Sequence, residues 1–395
     1  MAVAANGKGA GRQSYDSAVF RRNDLNGLTA SKKQTMGFDS FLGNTKAVQL
    51  VRDMLGRGRV PGSLLFTGPD GTGKKTLALM LAKALNCEQR GPKGDDFCGE
   101  CSHCRKADEF VTASTEDTAR RRDIKDAQKR ADDLVYFDLQ LIEPITRYIL
   151  VEQVRQLRVT AYSRPFMLPH RVLIVDQAQT INWQATDLLL KVLEEPPETT
   201  TIILVCPNVY ELRSTIRSRC LTLQFGPVDE SIIEQVLVEE QGLAKGELAL
   251  AMRVANGSIA AAKGFDLKEY AERRKPWLAM LETVAGPPGH PPAPQQWKTL
   301  FDATKSLADA RNHTEESLKT GSILLRDMMQ LLIDAESKAI TNLDLLPRLK
   351  TWAHALGMEG IRKLEEGVER SYSLQNRNVN QQLAFDSLAA DLLGP

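Results

Sequence analysis

Nowhere in the 395 residues is there a run approaching the ~18 consecutive apolar residues that a membrane-crossing helix needs, so no membrane span is expected. Charge of one sign is equally scarce. Lys and Arg number 51 against 50 Asp and Glu, a formal net charge of +1, and this supplies no global field to draw in nucleic acid. Aromatics are only 6% of the chain, which weighs against the basic, aromatic-rich surface of a dedicated nucleic-acid binder. The first 35 residues are rich in Gly, Ala, Ser, Lys and Arg and lack the ~7–15-residue apolar core of a secretion signal. They read as a disordered tail, with Met36 as a second candidate start. The six cysteines are few and uneven: Cys87, Cys98, Cys101 and Cys104 fall within 18 residues, with Cys206 and Cys220 far away. In a chain without a secretion signal, such clustering points to metal rather than disulfides, and to a reducing cytoplasm. What is present, 42% hydrophobic and 26% charged residues, is the composition of a soluble globular protein, long enough for two or three domains.

The most informative segment is a phosphate-binding loop that is incomplete. Gly68-Pro69-Asp70-Gly71-Thr72-Gly73-Lys74-Lys75 fits the pattern G-x-x-x-x-G-K-[ST] except at its last position. The apolar run Leu64-Leu65-Phe66 before it reads as a buried strand, and Leu77, Met80, Leu81, Ala84 and Leu85 after it fall at helical spacing. Strand, glycine loop and helix are what a P-loop requires: the glycines let backbone N–H groups approach phosphate oxygens, and the helix start adds partial positive charge. Lys74 is placed to reach the outer phosphates. Lys75, however, stands where a Ser or Thr hydroxyl holds magnesium, and Thr76 is rotated ~100° further around the helix.

Further along, Val172-Leu173-Ile174-Val175 is a second compact strand that ends at Asp176-Gln177. An acid at this point assists magnesium in P-loop ATPases, and the next residue is often the carboxylate that polarises the attacking water. Asp176 is there, but Gln177 is a neutral amide that cannot take a proton. Thr201-Ile202-Ile203-Leu204-Val205 reads as a third buried strand, Ile149–Tyr162 as a helix and Ala185–Leu193 as an amphipathic helix. Alternating strands and helices imply a parallel sheet covered on both faces. The charged stretch Thr112–Asp133, with Arg120-Arg121-Arg122, reads as a solvated helix or loose spacer. After Pro227 the signals are helical, interrupted by a Pro/Gly-rich stretch at Gly286–Pro294.

The spacing Cys87-x10-Cys98-x2-Cys101-x2-Cys104 suits a closed tetrahedral zinc site, which is structural because four thiolates leave no position for water. His103, inside the last loop, reads as a bystander, and Cys206 and Cys220 as semi-buried small residues.

Taken together and in this order, Gly68–Lys75, the four-cysteine insert, Val172–Asp176, Leu189-Leu190-Lys191-Val192-Leu193-Glu194-Glu195-Pro196-Pro197 and Ser218-Arg219-Cys220 resemble the bacterial clamp-loader subunits of DNA polymerase III, in the AAA+ superfamily. Phe38–Asn44 is similar to that family's opening segment, so the resemblance covers about residues 37–226; beyond it only helical character and Asn378-Val379-Asn380 carry it. The resemblance implies an α/β fold: a tail over 1–36, an AAA+ P-loop domain with a parallel sheet over 37–226 with a zinc-module insert at 87–104, a small helical lid over 227–266 and a helical collar over 267–395. Within the family, Lys75, Gln177 and Ala260, which stands where motor subunits carry a nucleotide-sensing Arg, favour the delta-prime type over the ATP-hydrolysing gamma/tau motor. So does an end soon after the collar. That type implies no ATPase of its own. Gly68, Gly71, Gly73, Lys74 and Asp176 become a degenerate site for ATP or ADP, and Arg219 an arginine finger offered in trans, with Ser218 and Cys220 shaping its loop. The implied partners are gamma/tau and delta subunits in a hetero-pentamer, the sliding clamp and primed DNA. The alternative is an active gamma/tau-type motor, supported by Lys74, Asp176 and the intact glycines; a different class is a zinc-bearing nucleic-acid-binding protein on a dead P-loop scaffold.

Overall fold

Five short segments, three of them wholly apolar at their centres, become parallel strands: β1 (Ser63–Thr67), β2 (Leu139–Ile142), β3 (Arg171–Val175), β4 (Thr200–Cys206) and β5 (Leu221–Gln224), in the order β2-β3-β4-β1-β5. They belong to a computed structural model that describes residues 37–375, apart from 127–128, 242, 244, 286–293, 310–313 and 338, together with 382–383 and 385–387. The expected tail and the Asn378-Val379-Asn380 segment lie outside the described residues.

Strand alternation sorts the core into two layers. Leu64 and Phe66 of β1, Val172 and Ile174 of β3, and Ile203 and Val205 of β4 face one way, packing with α1 (Thr45–Gly56), α2 (Lys74–Asn86) and α3 (Ser102–Asp123). Leu65, Leu173, Val175, Ile202 and Leu204 face the other way, toward α4 (Val151–Tyr162) and α5 (Thr186–Glu194). The central strands are buried on both faces, which is why they read as unbroken apolar runs. The two strands that periodicity did not single out are the edges. β2 carries Gln140 within only four residues, and β5 has a single buried residue, Leu223. A four-residue helix, α6 (Ser214–Arg217), leads into β5.

The Thr112–Asp133 stretch is not a loose solvated spacer. Residues up to Asp123 continue α3, whose Phe110, Ser114, Thr118 and Arg121 form a buried face. Arg121 donates to the carbonyls of Arg130, Asp132 and Asp133 and pairs with Asp117, while Arg122, though exposed, donates to the Pro144 carbonyl; of the triple only Arg121 is buried. A charge run in sequence became a clamp over β2 because its arginines find backbone oxygens there.

No strand follows Gln224 among the described residues. α7 (Glu230–Val236), α8 (Lys245–Ala255) and α9 (Ile259–Lys263) close on a small core of Val228, Ile233, Leu237, Ala251, Ala255 and Ala262. α10 (Leu267–Val284), α11 (Pro294–Asp309), α12 (Thr314–Ile333) and α13 (Leu346–Gln375) surround a separate core. Its centre is Trp277, whose indole N–H donates to Ser317 O at 2.8 Å. No described helix is long and apolar enough to cross a membrane.

Candidate functional site

The chain leaves β1 at the C-terminal end of the sheet and turns through the glycine loop into α2. Gly71 and Gly73 have φ of 71° and 93°, where only glycine is unstrained. Neither has room for a side chain: a Cβ on Gly71 would lie 2.0 Å from Ser258 Oγ, and one on Gly73 2.6 Å from the Phe41 ring. The loop is therefore enclosed by the start of α9 and by the opening segment. Ala260 N–H donates to Gly71 O at 3.3 Å, so the position expected to lack a sensing Arg does sit over the loop. Asn44 ties the parts together, donating to Thr72 O and accepting from Gly226 N–H at 2.8 Å.

The two lysines of the loop have different environments. Lys74 is turned back on its own loop, donating to Gly68 O at 2.5 Å and Pro69 O at 2.7 Å, with Asp70 at 3.7 Å. Its burial lowers its pKa, against the pull of Asp70 and Asp176. Lys75 points across the first turn of α2 to the ends of β2 and β3. Its Nζ lies 2.5 Å from Glu143 Oε1 and 3.2 Å from Asp176 Oδ2. Burial alone would lower this amine's pKa, but the two carboxylates outweigh it and hold it above the usual lysine value. An ammonium thus occupies the position beside Asp176 that a hydroxyl-bound magnesium would need. Thr76 is exposed and offers no substitute. Gln177 is also exposed, at φ 54°, its N–H donating to Asp176 Oδ1 at 2.9 Å.

Arg219 lies at the other end of the sheet. It precedes Leu221, which pairs with Leu64, whereas Gly68 follows Thr67, which pairs with Gln224. The four residues from Leu221 to the level of Gly68, at ~3.3 Å each, with Arg219 in the turn before them, put Arg219 more than ~10 Å from its own P-loop. There, Nε donates to Glu194 Oε1 at 2.6 Å and Nη1 to Thr215 O at 2.8 Å, and Ser218 Oγ donates to Thr215 O at 3.1 Å. Burial pushes the Cys220 thiol up to about 12, so it stays protonated and serves packing. The structure brings Ser218, Arg219 and Cys220 together with one another, and not with Lys74 or Asp176.

The four cysteines of the insert converge, their Sγ atoms all within 4.8 Å of one another. Thiolates ~2.3 Å from a zinc stand about 3.8 Å apart at tetrahedral angles, so the donor set fits that ion. Backbone N–H groups of Cys98, Cys101 and Cys104 donate to the sulfurs of Cys87, Cys98 and Cys101 at 3.3–3.4 Å, orienting them. Burial raises Cys87 and Cys104; it works against Cys101 too, but the Cys104 N–H and neighbouring thiols bring that group down to about 6. His103 is turned away, its Nδ1 2.9 Å from Asn86 O.

Comparison with known proteins places this arrangement. A family model described as DNA polymerase III, delta subunit, matches residues 43–229. The delta-prime subunit of DNA polymerase III from Bacillus subtilis is 26% identical over 346 residues, covering 87% of this chain and 94% of its own. The chain is similar to the clamp-loader subunits of bacterial DNA polymerase III. Against the tau subunit of Escherichia coli this chain is 28% identical, over 59% of its length and 33% of tau. A gamma subunit-related protein from Thermotoga maritima has a solved structure with 13% identity and a TM-score of 0.43, covering 88% of this chain and 98% of that one. Sequence reasoning missed two carboxylates. Glu143 follows a strand too short to be recognised, and Glu194 lies inside a motif that was read for its pattern and not for its charge.

Proposed function

We propose that this chain is a clamp-loader subunit of the delta-prime type, without ATP turnover of its own, that completes the ATP site of a neighbouring gamma/tau-type subunit through Arg219. The observation that carries the reading is Lys75 between Glu143 and Asp176. Magnesium-dependent hydrolysis needs a metal beside Asp176 and a base beyond it; here an ammonium stands at the first and the neutral Gln177 at the second. Gly68, Gly71, Gly73, Lys74 and Asp176 remain as scaffold, able at most to hold ATP or ADP without hydrolysing it. Arg219 is too far from that loop to act in cis, whereas an Arg at a subunit edge can stabilise charge on a phosphoryl group next door, an effect worth ~10³–10⁵ in rate.

In this reading, residues 227–266 form the lid and 267–395 the collar that joins delta and gamma/tau subunits in a hetero-pentamer, which opens the sliding clamp and places it on primed DNA. DNA contact would be with phosphates and shared among subunits, in keeping with the net charge of +1. Cys87, Cys98, Cys101 and Cys104 would hold zinc, which supplies structure and no catalysis because all its positions are filled. The test has two arms. The isolated chain should show no magnesium-dependent ATP hydrolysis, and turnover abolished by Lys74→Ala would overturn this. Arg219→Ala should leave the reconstituted complex assembled but slow its ATPase, and an unchanged rate would reject the finger.

A further inference from the structure

The same geometry shows Arg219 already engaged. Nε and Nη2 both pair with Glu194 Oε1, and Nη1 donates to Thr215 O. Every nitrogen of the guanidinium has a partner within the chain, so the group is not presented outward with its charge free. We propose that Glu194 is a latch that holds Arg219 on its own subunit until the phosphates of a neighbouring subunit's nucleotide displace it. This rests on the reading of Arg219 as a trans finger.

The surroundings favour a latch that opens by side-chain motion alone. Glu194 is the last residue of α5 and follows Leu193, which is fixed in the core; Pro196-Pro197 stop the helix just beyond. Arg219 is held through its backbone, its N–H donating to Ile216 O at 3.1 Å, and Ile216 is buried. Both backbones are anchored while both side chains reach solvent, 31% exposed for Arg219 and 48% for Glu194. Between them opens a cleft of about 560 Å³ lined by Leu193, Glu194, Glu195, Ser218 and Arg219. A polyphosphate approaching it meets two carboxylates first, and it is repelled unless Arg219 changes partner. Once Arg219 turns, the phosphates offer it more negative charge than one carboxylate does, so the exchange runs forward. Glu194 therefore acts as an internal competitor that lowers the fraction of competent fingers, and the apparent strength of the finger falls by that fraction.

The test uses the reconstituted complex with the cognate gamma/tau-type ATPase. An exposed ion pair is a weak competitor, so Glu194→Gln should raise steady-state ATP turnover by roughly two- to fivefold without changing assembly by size exclusion. Glu194→Ala should do the same, and Glu194→Gln combined with Arg219→Ala should fall to the rate of Arg219→Ala alone. A merely structural contact cannot give an increase. A lower or unchanged rate in both single variants would overturn the latch and make Glu194 an orienting or idle residue. If Arg219→Ala itself leaves the rate unchanged, the finger fails and the latch with it; if it lowers the rate while the Glu194 variants raise nothing, only the latch fails.

Discussion

Both ends of the sheet carry a basic side chain paired with acids, yet the two pairs differ in how easily they come apart. At the P-loop end, Lys75 bridges two carboxylates, Glu143 at 13% exposure and Asp176 at 16%. At the other end, Arg219 meets one carboxylate, Glu194, at 48% exposure. The cations themselves are about equally accessible; the difference lies in the acids. Removing Lys75 leaves two poorly hydrated negative charges side by side, whereas releasing Arg219 leaves a carboxylate that water can hydrate at once. One pair is a fixture of the fold and the other is poised for exchange. That contrast is what the proposed function draws on: the outline of an ATP site at one end, and at the other an arginine held only by a solvated acid.

The largest expected effect breaks the comparison at its Arg219 end: on the proposed function, Arg219→Ala should cost about 10³-fold or more in the ATPase of the assembled complex. Disruption of the four-cysteine cluster is next. The insert grips the opening segment through Asp96, which accepts the Phe38 N–H at 2.9 Å and pairs with Arg52 at 3.0 Å, and Phe97 packs edge-on against Phe38 at 5.5 Å. That segment places Phe41 beneath Gly73. Metal analysis should give about one zinc per chain, lost in Cys101→Ser. In the stripped protein, amide exchange should speed up through residues 68–74 and stay unchanged through 214–219; equal loosening at both ends would show that the insert does not support the P-loop selectively. A smaller effect compares the pairs directly. Lys75→Met should lower unfolding free energy by about 1–3 kcal/mol, less than a fully buried pair because Lys75 is partly solvated, while Glu194→Gln should cost under ~1 kcal/mol. Equal costs in urea titrations would erase the distinction.

Much of this was legible in the sequence because it rests on local patterns. The central strands are continuous apolar runs, the P-loop is contiguous, and four cysteines at short spacings declare their site. The departures at Lys75 and Gln177 could be read as losses. What could not be read is what replaced them. Glu143 is 68 positions from Lys75 and follows a strand of four residues, so nothing local marks it as the partner that turns a missing hydroxyl into a bound ammonium. Glu194 lies 25 positions from Arg219, and its role depends on two backbones that only the sheet brings together. One arginine of α3 departs from the expected solvated helix for the same reason: Arg120 and Arg122 are exposed, but Arg121 is buried because the fold offers it three carbonyls.

The smallest expected effect concerns the pH range over which the fixed pair persists. The two carboxylates raise the Lys75 pKa above its ordinary value of 10.5 in the folded chain. A raised lysine binds its proton more tightly when folded, so its contribution is fully present below about pH 10.5 and is lost only as pH climbs through the higher folded value. Across the neutral range Lys75 therefore keeps its proton, and on the proposed reading its charge, which physiological pH does not remove, keeps magnesium from Asp176. The stability gap between the native chain and Lys75→Met should be flat from pH 7 to 9 and narrow above pH ~10.5. A gap that narrows already between pH 7 and 9 would mean that Lys75 sheds its proton in the folded chain, and that the metal position is blocked by bulk rather than by charge.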